Sequence, residues 1–291
     1  MSRNEQIFKV ITQKILEKMN QGIVPWHKPW KDYSNGNLPR NGVTGRNYSG
    51  INLFLSFMNE YSSTEYFTFK QIKDLKGVIK KGEEGNLIVF WNWITPKAKE
   101  EEEEVKAIPF LRYYYVWNRD QCEGLPESRF KNNLPSNELS PIQECEKVIS
   151  GYKDCPEIRY QESRAYYSVT HDFINLPLKG SFESPEEFYS TAFHEMIHST
   201  GNEKRLKRVI RWGKFGDGDY SREELCAELG ASFLSGICGI ENRTIDNSAS
   251  YIQNWMKRLT EDVKLFFDAA QAASKAVEYV LGTKEQERAE E

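Results

Sequence analysis

No stretch of the 291-residue chain approaches the roughly 18 consecutive apolar residues that a membrane-spanning helix needs, which argues against a helical membrane protein. The opening MSRNEQIFKV lacks the basic-then-apolar layout of a secretory signal, so the chain is expected to stay in the cytoplasm. Cysteines are few and odd in number (Cys122, Cys145, Cys155, Cys226, Cys238), with no CxxC pair. That pattern excludes a disulfide scaffold and fits a reducing compartment. Disorder is excluded as well, because aromatic residues reach 13% despite a mean hydropathy of −0.67. Histidine is scarcest, with four residues, and this makes the clustering of two of them informative.

The net charge of −4 is unevenly spread. Residues 1–125 carry +3, or +8 without five consecutive glutamates at 100–104, and the remainder carries −7. Five of the seven tryptophans also lie in that first segment. The contrast predicts two domains, residues 1–124 and 142–291, joined by a proline-containing linker at 125–141. Ile7, Ile11, Ile15 and Met19, four apart, predict an opening helix ended by Gly22. Strands are expected at 87–94 and 110–117, with the acidic run at a loop tip between them, and at 166–176. Ser184-Pro185-Glu186-Glu187 predicts a capped helix reaching about Thr200. Ser221 is expected to open a second helix, and 249–281 to form a third.

Within the capped helix lies His194-Glu195-Met196-Ile197-His198, an HExxH motif. Histidines four apart share one helical face, so both imidazoles can reach one cation. Glu195 is placed to take a proton from a water that the metal acidifies. A third protein ligand must come from elsewhere, and SREELCAELGASFL offers Glu223, Glu224 and Glu228. Glu224 is taken as the ligand and Glu228 as the carboxylate receiving the free N–H of a bound histidine. Glu223 is the alternative ligand. Zn²⁺ is the expected cofactor, with Mn²⁺ or Co²⁺ compatible with the same donors. His171 reads as structural, Tyr166, Tyr167 and Tyr220 as possible oxyanion donors, and the 166–176 strand as an edge able to pair with an extended peptide.

The first segment interleaves aromatic with basic and amide side chains. Single-stranded nucleic acid is held by rings that stack on bases and cations that follow phosphates. The candidate contacts are Trp26, Lys28, Trp30, Arg40, Arg46, Asn47 and Tyr48, followed by Trp91, Trp93, Tyr113 and Tyr115 on the two strands.

Several blocks in order, IVPWHKPW, NGVTGRNYSGIN, KKGEEGNLIVFW, YYYVWNRDQCEGLP, HEMIHSTGNEKRL and YSREELCAELGASFL, resemble the ArdC-type antirestriction proteins of conjugative plasmids and phages. The resemblance implies an α+β fold. Its N-terminal domain would bind single-stranded DNA, and its mainly helical C-terminal domain would be a gluzincin-like metallopeptidase with a small sheet. It also implies protection of incoming mobile-element DNA from host restriction. Carried over, His194 and His198 match the paired ligands, Glu195 the general base and Glu224 the glutamate ligand. No histidine follows in Ser199-Thr200-Gly201, which excludes a three-histidine site. Two other readings stand beside this one. One is a regulatory zinc protease whose N-terminal domain recognises a protein target, the other a binding module stabilised by zinc without proteolysis.

Overall fold

Apolar residues four apart wind the first segment into α1 (Arg3–Asn20), whose Ile7, Ile11, Ile15 and Met19 are all buried, and Gly22 follows at φ 76°. A computed structural model describes residues 3–26, 38–59, 61–94, 108–130, 141–208, 218–240 and 249–283. The glutamates at 100–104, together with Lys28, Trp30 and most of the proline-rich linker, lie outside these residues.

The N-terminal half is built on a four-stranded sheet in the order β1-β2-β5-β4. Its long members are β4 (Asn86–Ile94) and β5 (Ile108–Asn118), antiparallel, with Leu87 opposite Tyr115 and Val89 opposite Tyr113. β2 (Glu65–Thr68) pairs with β5, and the two-residue β1 (Arg40–Asn41) runs parallel to β2. Two short helices, α2 (Ile51–Phe57) and α3 (Phe69–Asp74), flank the sheet, and a two-stranded ribbon pairs β3 (Val78–Ile79) with β6 (Cys122–Glu123). Leu87, Val89 and Leu111 join the main core on one face, whereas Tyr66, Ile88 and Val116 form a small separate cluster on the other, under Tyr48 and Tyr61.

The C-terminal half opens with α4 (Pro141–Gly151) and a three-stranded sheet, order β7-β9-β8. Its strands are β7 (Glu157–Arg159), β8 (Tyr166–Ser168) and β9 (Phe173–Asn175). The single strand expected at 166–176 is therefore two, folded into a hairpin. The reversal occurs at Asp172, which takes the left-handed conformation at φ 52°. An Asx side chain tolerates that region better than most residues do. The expected helix at 249–281 is likewise two, α7 (Ala249–Glu261) and α8 (Leu265–Leu281). Asp262 makes the break, because its carboxylate accepts the Lys264 N–H at 2.9 Å and competes with helix continuation.

Two long helices stand at the centre of this half. Ser184 caps α5 (Pro185–Thr200) by accepting the Glu187 N–H, with Pro185 at the first turn. α6 (Gly218–Cys238) begins a turn before the expected start, so Ser221 is an interior residue and not a cap. Residues of α6 from Leu225 to Leu234 are buried on nearly every side, the mark of a helix enclosed by the core. Gly230 sets how closely α5 and α6 approach, since a Cβ there would lie 2.7 Å from the Ile197 side chain.

The halves share one core and are joined by far more than a linker. Phe8 packs on Phe267 at 5.1 Å and Phe54 on Phe266 at 4.5 Å. Gly50 donates its N–H to Ser274 Oγ at 2.6 Å, and the Thr12 hydroxyl donates to the Val263 carbonyl. Where residues 125–130 are described they pack back on the N-terminal sheet, with Ser128 donating to Glu65 and Arg129 to the Val43 carbonyl.

Candidate metal centre and aromatic face

The HExxH spacing places both imidazoles on one face of α5, and the close α5–α6 approach brings Glu224 onto them. The two Nε2 atoms lie 3.1 Å apart, with Glu224 oxygens at 3.6 Å from His194 and 3.5 Å from His198. Their ligand atoms all fall within 4.8 Å of one another. A tetrahedral cation with bonds of about 2.0–2.1 Å sets its ligand atoms about 3.3 Å apart, so these separations, with the two to Glu224 measured to different oxygens, are of the right order. Two imidazole nitrogens and one carboxylate also suit a borderline divalent metal, with a fourth position open. The donor set fits.

Glu223 stands where Glu228 was expected, against an imidazole of the motif. It faces His198 Nδ1 at 3.2 Å and is gripped on its other side by Arg208 at 2.9 and 3.1 Å. The carboxylate that meets the second imidazole of the motif is thus Glu223, not Glu228. Helix phase explains the difference, because Glu223 lies beside Glu224 on the rim nearest the end of α5. Arg208 also donates to the Ile197 carbonyl and the Thr200 hydroxyl, both at 2.7 Å, and so satisfies the end of the motif helix. Burial works to raise the Glu223 carboxyl, but the His198 and Arg208 bonds outweigh it and hold it below the ordinary carboxylate range. No periodicity could have found Arg208, which sits in a loop ten residues beyond His198.

Glu228 looks away from the histidines for its hydrogen bonds. Its Oε2 accepts the Trp26 indole N–H at 2.8 Å and the Tyr251 hydroxyl at 2.5 Å. Burial pushes its carboxyl up to about 7, against those bonds and the His194 charge. For His194 burial works to lower the pKa, yet the Glu224 hydrogen bond and the charges of Glu195, Glu224 and Glu228 carry it up to about 9. Glu195 is buried and accepts no hydrogen bond among the described residues, which leaves its carboxylate free to receive a proton.

The tyrosines near the hairpin are engaged elsewhere. Tyr167 donates to Asp172 and accepts from Asn202, and Tyr166 donates to Glu162. His171 is exposed at the hairpin turn and stacks on Phe173 at 6.4 Å. The Tyr220 side chain lies outside the described residues. A cavity of about 720 Å³ opens between the hairpin turn and the 201–208 loop beside Arg208, and neither ligand histidine lines it.

The aromatic candidates of the N-terminal half divide. Trp26 is corrected outright: its ring is fully buried against Trp255 and Phe266, so it cannot stack on a base. A tryptophan beside a proline in a basic stretch reads as surface, and nothing local reveals an acceptor 202 residues away. Tyr48 packs on Tyr66 with its hydroxyl sealed and without a hydrogen-bond partner among the described residues, a support for the sheet more than an open face. Arg40 is half-buried over Phe130, while Arg46 and Asn47 are exposed. Tyr113 and Tyr115 are 49% and 48% exposed and meet edge to face at 6.1 Å. The register sets Trp91 opposite Leu111 and Trp93 opposite Pro109, while their side chains lie outside the described residues. Arg46 acts on Tyr114, which points to the opposite face from Tyr113 and Tyr115, so the sheet separates Arg46 from those two rings.

Sequence reasoning missed Phe69, 52% exposed, which carries Lys73 Nζ over its ring at 4.8 Å and packs on Trp117 at 6.1 Å. Trp117 shares a strand face with Tyr113 and Tyr115, so this pair extends their surface. The signal available was Phe69-Lys-x-x-Lys73 at helical spacing.

Comparison with known proteins agrees with both halves. Residues 5–117 match the N-terminal domain of the anti-restriction factor ArdC, and residues 144–272 match the zincin-like metallopeptidases. The crystal structure of the antirestriction protein ArdC from plasmid R388, metal-free, superposes with a TM-score of 0.74 at 32% identity, covering 96% of this chain and 98% of that one. Its Mn(II)-bound structure gives 0.74 at 31% identity, covering 94% and 97%. DNA primase TraC of Escherichia coli is 30% identical over 93% of this chain, which spans only 26% of the primase. The uncharacterized protein y4eC of Sinorhizobium fredii is 26% identical, over 94% of this chain and 91% of y4eC. With an ArdC structure matched over nearly its whole length and both domain families in order, this chain belongs to the ArdC family of antirestriction proteins.

Proposed function

We propose that this protein binds single-stranded DNA through its N-terminal half, cleaves a peptide bond at the His194–His198–Glu224 centre, and in the cytoplasm protects incoming mobile-element DNA from restriction. The observation that carries the reading is the convergence of those three ligand groups, within 4.8 Å of one another, in a chain whose N-terminal half matches the ArdC domain. The Mn(II)-bound relative supports a divalent cation, and Zn²⁺ and Co²⁺ suit the same donors.

Bound there, the cation supplies Lewis acidity toward a carbonyl and acidifies a water. Glu195 takes the proton released in the attack and returns it to the leaving nitrogen. Glu223 holds the His198 ring through Nδ1, with Arg208 behind it, which leaves Nε2 aimed into the centre. β8 forms one edge of its sheet and offers backbone groups to an extended peptide. On the other half, Tyr113, Tyr115 and Phe69 offer stacking faces, with Lys73 as the accompanying cation. Arg46 acts on Tyr114, on the other side of the sheet, and belongs to the surface only if the strand wraps its edge.

A fluorescent single-stranded oligonucleotide, with a matched duplex as control, is titrated across a salt series. Preference for the single strand, weakening steeply with salt, is expected. Absence of binding at low salt overturns the DNA half and turns the reading toward a protease that recognises a protein. Fluorescein-labelled casein tests the other half: hydrolysis that survives Glu195→Gln overturns the catalytic assignment.

A further inference from the structure

One contact between the two halves falls a single helical turn from the metal-binding triad. Trp26 donates its indole N–H to Glu228 Oε2, and Ser232, a turn further along α6, donates to the Trp26 carbonyl at 2.6 Å. Both ends of this residue are therefore fastened to the helix that carries Glu224. Its ring is closed in by Trp255, edge-on at 6.2 Å, and by Phe266 at 5.4 Å. Such an apolar site would accept a phenylalanine, and what the indole adds is a donor. Sealing that N–H in the core costs free energy unless an acceptor meets it, so the Trp26–Glu228 bond is selective.

The acceptor is not a remote one. Glu228 follows Glu224 by four residues and so shares its helix face. It lies close enough for its charge to act on the His194 imidazole. Tyr251, from α7, donates to the same oxygen as Trp26. Donors from two separate elements thus pin one carboxylate, and among the described residues its other oxygen makes no hydrogen bond.

We propose that Trp26 is a positioning residue of the cation centre: through Glu228 it fixes the α6 face that presents Glu224, so divalent-cation affinity depends on the N-terminal half. The inference rests on reading His194, His198 and Glu224 as a cation site. Partners that orient metal ligands typically change metal affinity by about 10–100-fold when removed.

The test is a Co²⁺ titration of the full chain, followed by the visible absorption of the bound ion. In one protein 3-benzothienylalanine replaces the residue at position 26, keeping the fused ring and losing the N–H. A second carries Tyr251→Phe. A third, Phe8→Leu, loosens the interface between the halves at Phe267 without reaching Glu228. The ring analogue is expected to weaken Co²⁺ binding on the order of tenfold, Tyr251→Phe to weaken it in the same direction, and Phe8→Leu to leave it unchanged. Wild-type affinity in the ring analogue overturns the proposal. An equal loss in Phe8→Leu does so as well, because it reduces the effect to general loosening. If the unmodified chain takes up no Co²⁺, the cation-site reading itself fails, and the positioning role falls with it.

Discussion

The cation centre and the aromatic sheet are built in opposite ways. At the centre, each polar group that orients a ligand is answered by another: His198 by Glu223, Glu223 by Arg208, Arg208 by the end of α5. On the sheet Tyr113 and Tyr115, and beside it Phe69 of α3, are half-exposed, and what holds them is packing on other rings. A centre that must hold a cation within tenths of an ångström needs the first arrangement. A surface that accepts any base sequence is served by the second, because every base has a face to stack. The lesson is that the two proposed activities should be separable by mutation, except where Trp26 is proposed to join them.

The largest expected effect tests that separation at the centre. Glu195→Gln should cut hydrolysis of labelled casein by on the order of 10²–10⁴-fold, the usual worth of a positioned general base. Co²⁺ affinity and oligonucleotide binding should stay at wild-type values. A parallel collapse of oligonucleotide binding would break the comparison, since it would make the carboxylate part of the sheet's function.

On the sheet, Tyr113→Ala and Tyr115→Ala should each weaken single-strand binding by about 1–3 kcal/mol without changing Co²⁺ affinity. Arg46→Ala, on the other face, should cost less than either, and its salt slope should barely change. If Arg46→Ala costs as much as the tyrosines, the strand wraps the sheet edge, and Asn47 joins the contact surface.

The same contrast decides what could be read in the sequence. The meeting of the two HExxH imidazoles was legible because both histidines sit in one helix, and helix geometry alone converts spacing into a shared face. Glu224 was one of three carboxylates that the next helix offered, and the packing of α6 on α5, not any spacing, brings it to the imidazoles. The Glu223–Arg208 support was not legible, because it joins α6 to a loop, and no period spans a loop. Trp26 was misjudged on the same ground, since its acceptor lies in the other half of the chain. The two long strands were visible from β-branched and aromatic runs, and they appear within two residues of the expected bounds. The hairpin at Asp172 and the break at Asp262 were missed because each depends on one aspartate's local conformation or bond and not on a composition shift.

Asp172 supplies a smaller and pH-dependent effect. Burial works to raise its carboxyl, but bonds from Arg205, Tyr167 and Lys204 hold it at about 2, below the usual 3.8. A carboxyl depressed by folding contributes stability that is complete well above the unfolded value and is lost as pH falls through the folded one. That contribution fades as pH drops from about 4 toward 2. Urea unfolding at about pH 6 and pH 3 should therefore show a larger acid loss for wild type than for Asp172→Asn. Equal losses would mean that the hairpin is not pinned by this charge, and that the order around the centre does not extend to the β8–β9 turn.

The smallest effect separates the sequence expectation from the observed helix start. Were Ser221 the cap of α6, Ser221→Ala would cost about 1 kcal/mol by orphaning a backbone N–H. In the structure Ser221 lies inside the helix, and its hydroxyl is buried with no hydrogen-bond partner among the described residues. Removing an unsatisfied buried hydroxyl relieves a desolvation cost, so the change should be neutral or stabilising, by up to about 1 kcal/mol. The sign alone decides, and it bears on the metal centre. Glu224 stands three residues after Ser221, where a capping box would draw its carboxylate back to the helix start. With the helix beginning at Gly218, that demand disappears, and Glu224 faces the two histidines.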